Sequence, residues 1–166
     1  LGMRILLQQS LNSDRRTGEV SLMIYILKNA LLIQLAGFLL LAIDFIPRFG
    51  WKKGTWFSLF HAVSAFGNAG FDLFGDSLVG FQQNPWVLSI ISGLIISGGL
   101  GFLVWSDVLS YKRVRRISLH SKIALIVTAT LLIFGTLGFM LTEGNAASLA
   151  EGNVIHRFFN TIFMSV

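Results

Sequence analysis

The 166-residue chain contains no cysteine, which excludes a disulfide framework, thiolate metal sites and cysteine catalysis. Charged residues are also scarce, at 13% against about a quarter in a typical soluble domain. Apolar residues make up 54% of the chain, and the mean hydropathy is +0.71. Because these residues lie in long runs and are not scattered as a soluble core requires, the composition predicts a membrane protein.

A secretory signal is not recognised, since residues 1–12 carry one arginine and no small-residue cleavage site. Residues 1–17 fit either a short amphipathic stretch on a membrane surface or an ordinary linker. The chain begins at Leu1 and not at a methionine, and its last residues are apolar. We therefore expect both ends to be cuts in a longer protein.

Three apolar runs are long enough to cross roughly 30 Å of hydrocarbon as helices, at about 1.5 Å per residue. They are Val20–Ile46, Trp86–Leu109 and Ile123–Leu141. This layout predicts an all-α membrane protein. Pro47 is expected to stop the first helix, because its ring cannot continue a helical turn. Arg48–Gly54 is then expected to form a polar turn at the membrane interface, where tryptophan and lysine are common.

The basic residues are distributed unevenly along the chain. With the N-terminus and segment 112–122 on one side of the membrane, that side holds nine of the 13 Lys and Arg residues. Cytoplasmic loops carry such an excess, so the N-terminus is predicted to be cytoplasmic. The net charge of +5 is thus explained by topology, and no nucleic-acid partner is expected. The nine residues are Arg4, Arg15, Arg16, Lys28, Lys112, Arg113, Arg115, Arg116 and Lys122.

A layout of spanning helix, outer turn and short aromatic helix occurs at Val20–Phe66 and again at Ile123–Val166. Membrane transport proteins are often built from internal repeats of this kind. The predicted organisation is a cytoplasmic link at 1–19, a complete repeat at 20–109, a basic cytoplasmic link at 110–122, and the first half of a further repeat at 123–166.

The segment between the first two spanning helices carries the chemistry. Thr55–Phe66 is apolar and helix-compatible, with Thr55 as the expected N-cap, but it is too short to span the membrane. The glycines and asparagine of Gly67–Phe71 then break the helix. A re-entrant pore loop of this form directs the carbonyl oxygens of the helix end and of the turn at a cation. A surface loop after a short interfacial helix is the alternative on pattern alone.

Three stretches carry a resemblance to a known family. The sequence FHAVSAFGNAGFDLFGDSL (60–78) resembles a pore loop of the Trk/Ktr/HKT potassium transporter superfamily, closest to the bacterial Ktr-type membrane subunit. ISGGLGFLVWSDV (96–108) is similar to the inner helix that follows the second pore loop in that family. HRFFNTIFMSV (156–166) is similar to the pore helix of the third repeat. The resemblance covers most of Val20–Val166.

The resemblance implies four helix–pore-loop–helix repeats around one potassium-channel-like pore, of which this chain holds the second and half of the third. It implies potassium (K+) uptake, often with sodium (Na+) dependence as symport, by a homodimer in the cell membrane that is bound to a cytoplasmic nucleotide-binding ring. The filter pattern falls on Asn68, Ala69 and Gly70, whose backbone carbonyls are the expected potassium ligands. Gly67 is a further expected position, although the family often has asparagine there.

Several polar residues lie around this segment. Asp72 and Asp76 follow the expected filter, where they either concentrate cations at a pore mouth or belong to a solvated loop. His61, in the expected pore helix, either titrates in the pore or is a hydrogen-bonded packing residue. Asp44 and Lys28 are expected near the outer and inner membrane interfaces.

Other functions have weaker support in the sequence. Gly98, Gly99 and Gly101 fit either a gating hinge or close packing of helices. The packing interpretation leads to a second hypothesis, in which the protein is a non-conducting membrane scaffold. A transporter of another solute needs polar groups at mid-membrane, and the apolar runs offer few. An enzyme is not expected, because the pair Ser64 and His61 has no identifiable third orienting group or oxyanion hole.

Overall fold

The computed structural model describes residues 2–114, 116–142 and 154–166. The side chains of residues 2–19, 21, 22, 110 and 112–114 lie outside that description. The chain divides into two units, Leu1–Leu32 and Ile33–Val166, and every contact discussed below lies within the second.

All regular secondary structure in the described ranges is helical. The α-helices are α1 (Gly2–Phe49), α2 (Trp51–Phe66), α3 (Pro85–Val114), α4 (Leu119–Thr142) and α5 (Val154–Ser165), with a 3₁₀ turn at Val79–Phe81. Three stretches are long and apolar enough to cross a membrane, namely Met23–Phe49, Pro85–Leu109 and Leu119–Thr142. The predicted all-α membrane fold is confirmed, and each predicted spanning run falls on one of these helices.

The end of α1 differs from its prediction. Pro47 lies inside α1, which continues to Phe49. Proline removes one backbone donor, but the Gly50 N–H still bonds to the Ile46 carbonyl at 2.9 Å. The last helical turn, which contains Pro47, therefore keeps this hydrogen bond. The helix ends at Gly50, whose φ of 79° lies in the left-handed region that favours glycine. The prediction that Pro47 stops the helix was wrong.

The prediction of a polar turn before α2 was also wrong. Because α2 begins at Trp51, most of Arg48–Gly54 is helical, and Thr55 lies inside the helix and not at its N-cap. The Thr55 Oγ1 donates to the Trp51 carbonyl at 2.6 Å. Gly54 permits this tight junction, since a Cβ there would lie 2.6 Å from the Phe45 carbonyl oxygen. Gly50 is therefore the one residue between α1 and α2, in place of the expected turn of several residues.

One apolar core joins α1, α2, α3 and the connection between α2 and α3. Its fully buried centre includes Phe45 of α1, Ala62 of α2 and Val87 of α3. The end of α2 also lies directly against α3, because a Cβ at Gly98 would overlap the carbonyl oxygen of Phe66. At Gly98 the packing interpretation is confirmed.

α3 is interrupted at Gly101, where φ is 77° and ψ is 163°. In a regular helix the Ser97 carbonyl would accept the Gly101 N–H. The Ser97 carbonyl also faces the indole of Trp105, whose Nε1–H donates to it at 2.8 Å. The side chain of Trp105 thus bridges the break, and the interpretation of these glycines as a gating hinge stays a prediction.

Asp107 connects α3 to the start of α4. Its Oδ2 accepts hydrogen bonds from the Ser121 hydroxyl at 2.6 Å and from both the hydroxyl and the N–H of Ser118. Ser118 in turn accepts the Ser121 N–H at 3.3 Å, as an N-cap does. In the predicted basic link 110–122, residue 115 and the side chains of 110 and 112–114 lie outside the described residues. The predicted polar loop Thr142–Asn153 also lies outside them, apart from Thr142.

Candidate functional site

The turn that follows α2 presents backbone carbonyl oxygens. The Ala69 N–H bonds back to the Ser64 carbonyl at 2.9 Å, which closes the helix end. Asn68 and Gly70 have φ values of 50° and 70°, in a region that asparagine and glycine adopt most readily. Among the described residues, no donor is hydrogen-bonded to the carbonyl oxygens of residues 67–70. Because residues 67–70 are also exposed, their carbonyl oxygens are available to a ligand.

The side chain of Asn68 joins the turn to α3. In the amide orientation that satisfies both of its polar atoms, the nitrogen donates to the Ile95 carbonyl and the oxygen accepts the Gly99 N–H, both at 3.3 Å. A regular helical turn joins those same two backbone groups to each other. The Asn68 amide therefore lies on the backbone of α3 just before the break at Gly101. The sequence predicted a backbone role for Asn68 and missed this side-chain contact.

Ser64 holds the far end of the turn. Its hydroxyl donates to the Phe71 carbonyl at 2.8 Å and accepts the Phe71 N–H at 3.1 Å. The backbone of Phe71 is thus attached to α2 at both of its polar groups. The sequence offered no signal for this contact beyond a serine in an apolar helix.

His61 lies one helical turn before Ser64 and is 3% exposed. Its Nδ1 lies 2.8 Å from the Phe57 carbonyl oxygen, and its Nε2 lies 3.0 Å from Oδ1 of Asp72. The ring stacks on Phe74, with centroids 4.6 Å apart and an interplanar angle of 20°. His61 is therefore a hydrogen-bonded side chain behind the turn, as the packing interpretation expected, with an additional link to Asp72.

Asp72 organises the loop that follows the turn. Its carboxylate accepts four backbone N–H groups at 2.8–3.2 Å, those of Phe74, Gly75, Asp76 and Ser77. Burial opposes ionisation of Asp72, but the hydrogen bonds from His61 and from the loop backbone outweigh it and lower the pKa of this carboxyl below its ordinary value. The charge of Asp72 is therefore largely engaged inside the loop.

Asp76 has a different environment from Asp72. It is exposed, and its Oδ2 accepts the Gly80 N–H at 3.0 Å. Asp44, predicted at the outer interface, forms an ion pair with Arg48 at 2.7 Å and accepts the Asn84 side-chain N–H at 2.9 Å. Asp44 thus ties the end of α1 to the residue before α3.

The last helix repeats the arrangement seen earlier in the chain. α5 follows the long α4 in the chain as α2 follows α1, and the internal repeat stays a prediction. The Asn160 side chain donates to the Gln82 carbonyl at 2.8 Å, and the Ser165 hydroxyl donates to the Leu132 carbonyl at 3.1 Å. α5 therefore packs against both α4 and the connection that precedes α3.

A cavity of about 750 Å³ lies beside the turn. Residues of α2, the turn, α3, α4 and α5 line it, including Ser64, Asn68, Gly70, Ile95 and Thr128. The site thus brings together the predicted residues Asn68 and Gly70 with helices from both predicted repeats. Lys28 belongs to the first unit, and its expected place near the inner interface stays a prediction.

Comparison with known proteins adds a family to this geometry. A family model described as "TrkH: Cation transport protein" matches residues 3–158. The potassium/sodium uptake protein NtpJ of Enterococcus hirae is 56% identical over 164 residues, which is 99% of this chain and 36% of that protein.

Two further relatives are Ktr system potassium uptake proteins B. The Bacillus subtilis protein is 35% identical over 98% of this chain and 37% of its own length. The Vibrio alginolyticus protein is 39% identical over 86% of this chain and 32% of its own length. The chain thus spans about a third of the length of the curated relatives it matches.

Proposed function

Because the chain belongs to the TrkH family of cation transport proteins and has three helices long and apolar enough to cross a membrane, we propose that it forms part of a potassium-uptake pore. In this proposal the backbone carbonyls of Asn68, Ala69 and Gly70 are potassium ligands of the selectivity filter, with Gly67 at its inner end. The names of the Enterococcus, Bacillus and Vibrio relatives, all potassium uptake proteins, support the choice of ion.

The observation that carries the proposal is the set of exposed carbonyl oxygens at residues 67–70, which accept no hydrogen bond from the described residues. They follow the C-terminus of α2, where the helix dipole places partial negative charge. α2 has 16 residues, so at about 1.5 Å per residue it is shorter than the roughly 30 Å of a bilayer core. A short helix that ends in free carbonyls is the arrangement in which backbone oxygens replace the hydration shell of potassium.

We place the two loop carboxylates at the pore mouth. Asp76 is exposed and accepts a backbone N–H from Gly80, so its charge is available to attract cations. The charge of Asp72 is partly used by the loop, and its contribution to the potential at the mouth is correspondingly smaller. This division refines the expectation that both residues act alike.

We further propose an architecture for the complete protein of which this chain is a part. Four such repeats would surround the pore, with residues 20–109 as one repeat and 123–166 as half of the next, because one turn supplies only one side of a filter. The complete subunit would act in the cell membrane as a homodimer with a cytoplasmic nucleotide-binding ring, with sodium as a second ion. The excess of basic residues at the N-terminus and in segment 112–122 supports a cytoplasmic N-terminus. Transport of this kind breaks no bond, so no enzymatic step is proposed.

The test is potassium uptake by the complete protein that contains residues 1–166, in a bacterium lacking its own potassium importers. Gly70→Ser is expected to abolish uptake or admit sodium, since φ is 70° there and the side chain would enter the ion path. Gly75→Ser is the matched control, because Gly75 has φ of 79° and, like Gly70, no neighbour within 4 Å of an added Cβ. Normal transport by Gly70→Ser at an unchanged membrane level would exclude Gly70 as a filter residue.

A further inference from the structure

The buried His61 side chain makes two polar contacts. Nδ1 faces the carbonyl oxygen of Phe57, and Nε2 faces the carboxylate of Asp72. Both partners are acceptors, so both contacts are hydrogen bonds only when each ring nitrogen carries a proton. Removal of either His61 or Asp72 therefore leaves a polar atom in this largely buried contact without its hydrogen-bond partner.

The aromatic environment fixes the orientation of the His61 ring. Phe74 stacks on one face, and Phe45 and Phe60 approach edge-on, with centroids 5.8 and 5.7 Å away. Phe57 also packs edge-on, at 6.5 Å. A ring held in this way keeps its Nε2 directed at Asp72.

His61 and Ser64 hold consecutive residues of the chain. Ser64 binds both backbone groups of Phe71, and His61 binds the side chain of Asp72. Phe71 and Asp72 directly follow Gly70, the last proposed ligand. The outer end of the carbonyl-bearing turn is therefore attached to α2 at two successive points, and Asp72 extends the attachment through the loop it organises.

We propose that His61 is a positioning residue for ion selection, which holds Asp72 and thereby the outer end of the filter. The inference rests on the proposed filter function of residues 68–70. Selection of potassium over sodium depends on where the carbonyl oxygens lie and how strongly they coordinate. Release of the outer end lets those oxygens approach the smaller ion.

His61→Phe separates positioning from packing. Phenylalanine keeps a ring among Phe45, Phe60 and Phe74, but it loses the polar contacts to Phe57 and Asp72. Hydrogen bonds to charged groups contribute about 1.5–3 kcal/mol, which corresponds to at least about tenfold in an equilibrium. We therefore expect the ratio of potassium to sodium uptake to fall about tenfold and the KM for potassium to rise.

Asp72→Asn tests the same contact from its other side, and Asp76→Asn is its matched control. Each removes one negative charge from the same loop, but only Asp72 binds His61. Asp72→Asn is expected to lower the ratio of potassium to sodium uptake, as His61→Phe does. The double variant with both substitutions is expected to have nearly the same ratio as Asp72→Asn alone. Asp76→Asn is expected to keep the selectivity ratio, whatever it does to uptake at low ionic strength.

Initial rates of uptake of both ions are measured in cells with the complete protein, with membrane levels determined by immunoblot. A fall in Vmax alone, with KM and the ion ratio unchanged in His61→Phe, would overturn the proposal, because that pattern indicates fewer folded copies.

If His61→Phe does not reach the membrane, the ion ratios of His61→Gln and Asp72→Asn are compared instead. Glutamine can still donate to Asp72, so it is expected to retain more selectivity than Asp72→Asn, and the reverse order would also overturn the proposal. Unchanged transport by Gly70→Ser would instead refute the filter function itself.

Discussion

The indole Nε1–H of Trp105 donates to the Ser97 carbonyl oxygen at 2.8 Å, across the break in α3 at Gly101. Trp105 follows Gly101 and Ser97 precedes it, so this hydrogen bond joins the two parts of the helix. One indole and one glycine therefore maintain this break, in the helix that also contacts the candidate filter through Gly99.

Gly101→Ala is expected to lower the melting temperature of the purified complete protein in detergent. The φ of 77° and ψ of 163° at Gly101 are essentially restricted to glycine, and a side chain there costs about 1–3 kcal/mol. Trp105→Phe is expected to have a smaller effect in the same direction, since a net hydrogen bond is worth about 1 kcal/mol. Gly93→Ala is the control in the same helix, because an added Cβ there has no neighbour within 4 Å. An unchanged melting temperature in Gly101→Ala would contradict the observed break.

Gly98→Ala is expected to damage the protein far more than Gly99→Ala. A Cβ at Gly98 would overlap the Phe66 carbonyl oxygen, and backbone cannot move aside as a flexible side chain can. At Gly99 the Cβ would lie 3.5 Å from the side-chain amide of Asn68, an ordinary contact. Membrane level and thermal stability of the two variants measure the difference. Equal behaviour would show that α2 and α3 are not in close contact here.

Asn68→Gly is expected to lower the ratio of potassium to sodium uptake. Glycine tolerates the φ of 50° at this position, so the change removes only the amide contacts to Ile95 and Gly99. Asn68→Ala removes the same contacts and adds backbone strain of about 1–2 kcal/mol, so it is expected to be the more severe variant. Wild-type selectivity in Asn68→Gly would mean that the side chain plays no part in holding the turn.

Much of the fold was predictable because its signals are local. Exposing an apolar run such as Trp86–Leu109 to water is unfavourable, and its length as a helix matches the thickness of a bilayer. The spanning helices therefore follow from composition. Likewise, the glycines and asparagine at 67–70 indicate a break after a short helix, and the left-handed φ values of Asn68 and Gly70 agree with it.

The junction of α1 and α2 was mispredicted for an equally physical reason. Pro47 normally ends a helix, but close to a C-terminus it forfeits a single hydrogen bond, and the following turn still closes through Gly50 and Ile46. Propensity alone cannot show that Gly54 lets the next helix begin against Phe45. Packing at that junction overrides the local preference for a turn.

The sequence by itself determined that this is an all-α membrane protein with a glycine-containing turn after a short helix, because hydrophobic runs and helix-breaking residues act within a few positions. Tertiary structure alone decided the partners of that turn: Asp72 for His61, Phe71 for Ser64, and the α3 backbone for Asn68. Those contacts depend on where separate helices lie in space. A hydrogen bond between residues on different elements leaves no periodic trace in the sequence, so only the packed fold reveals it.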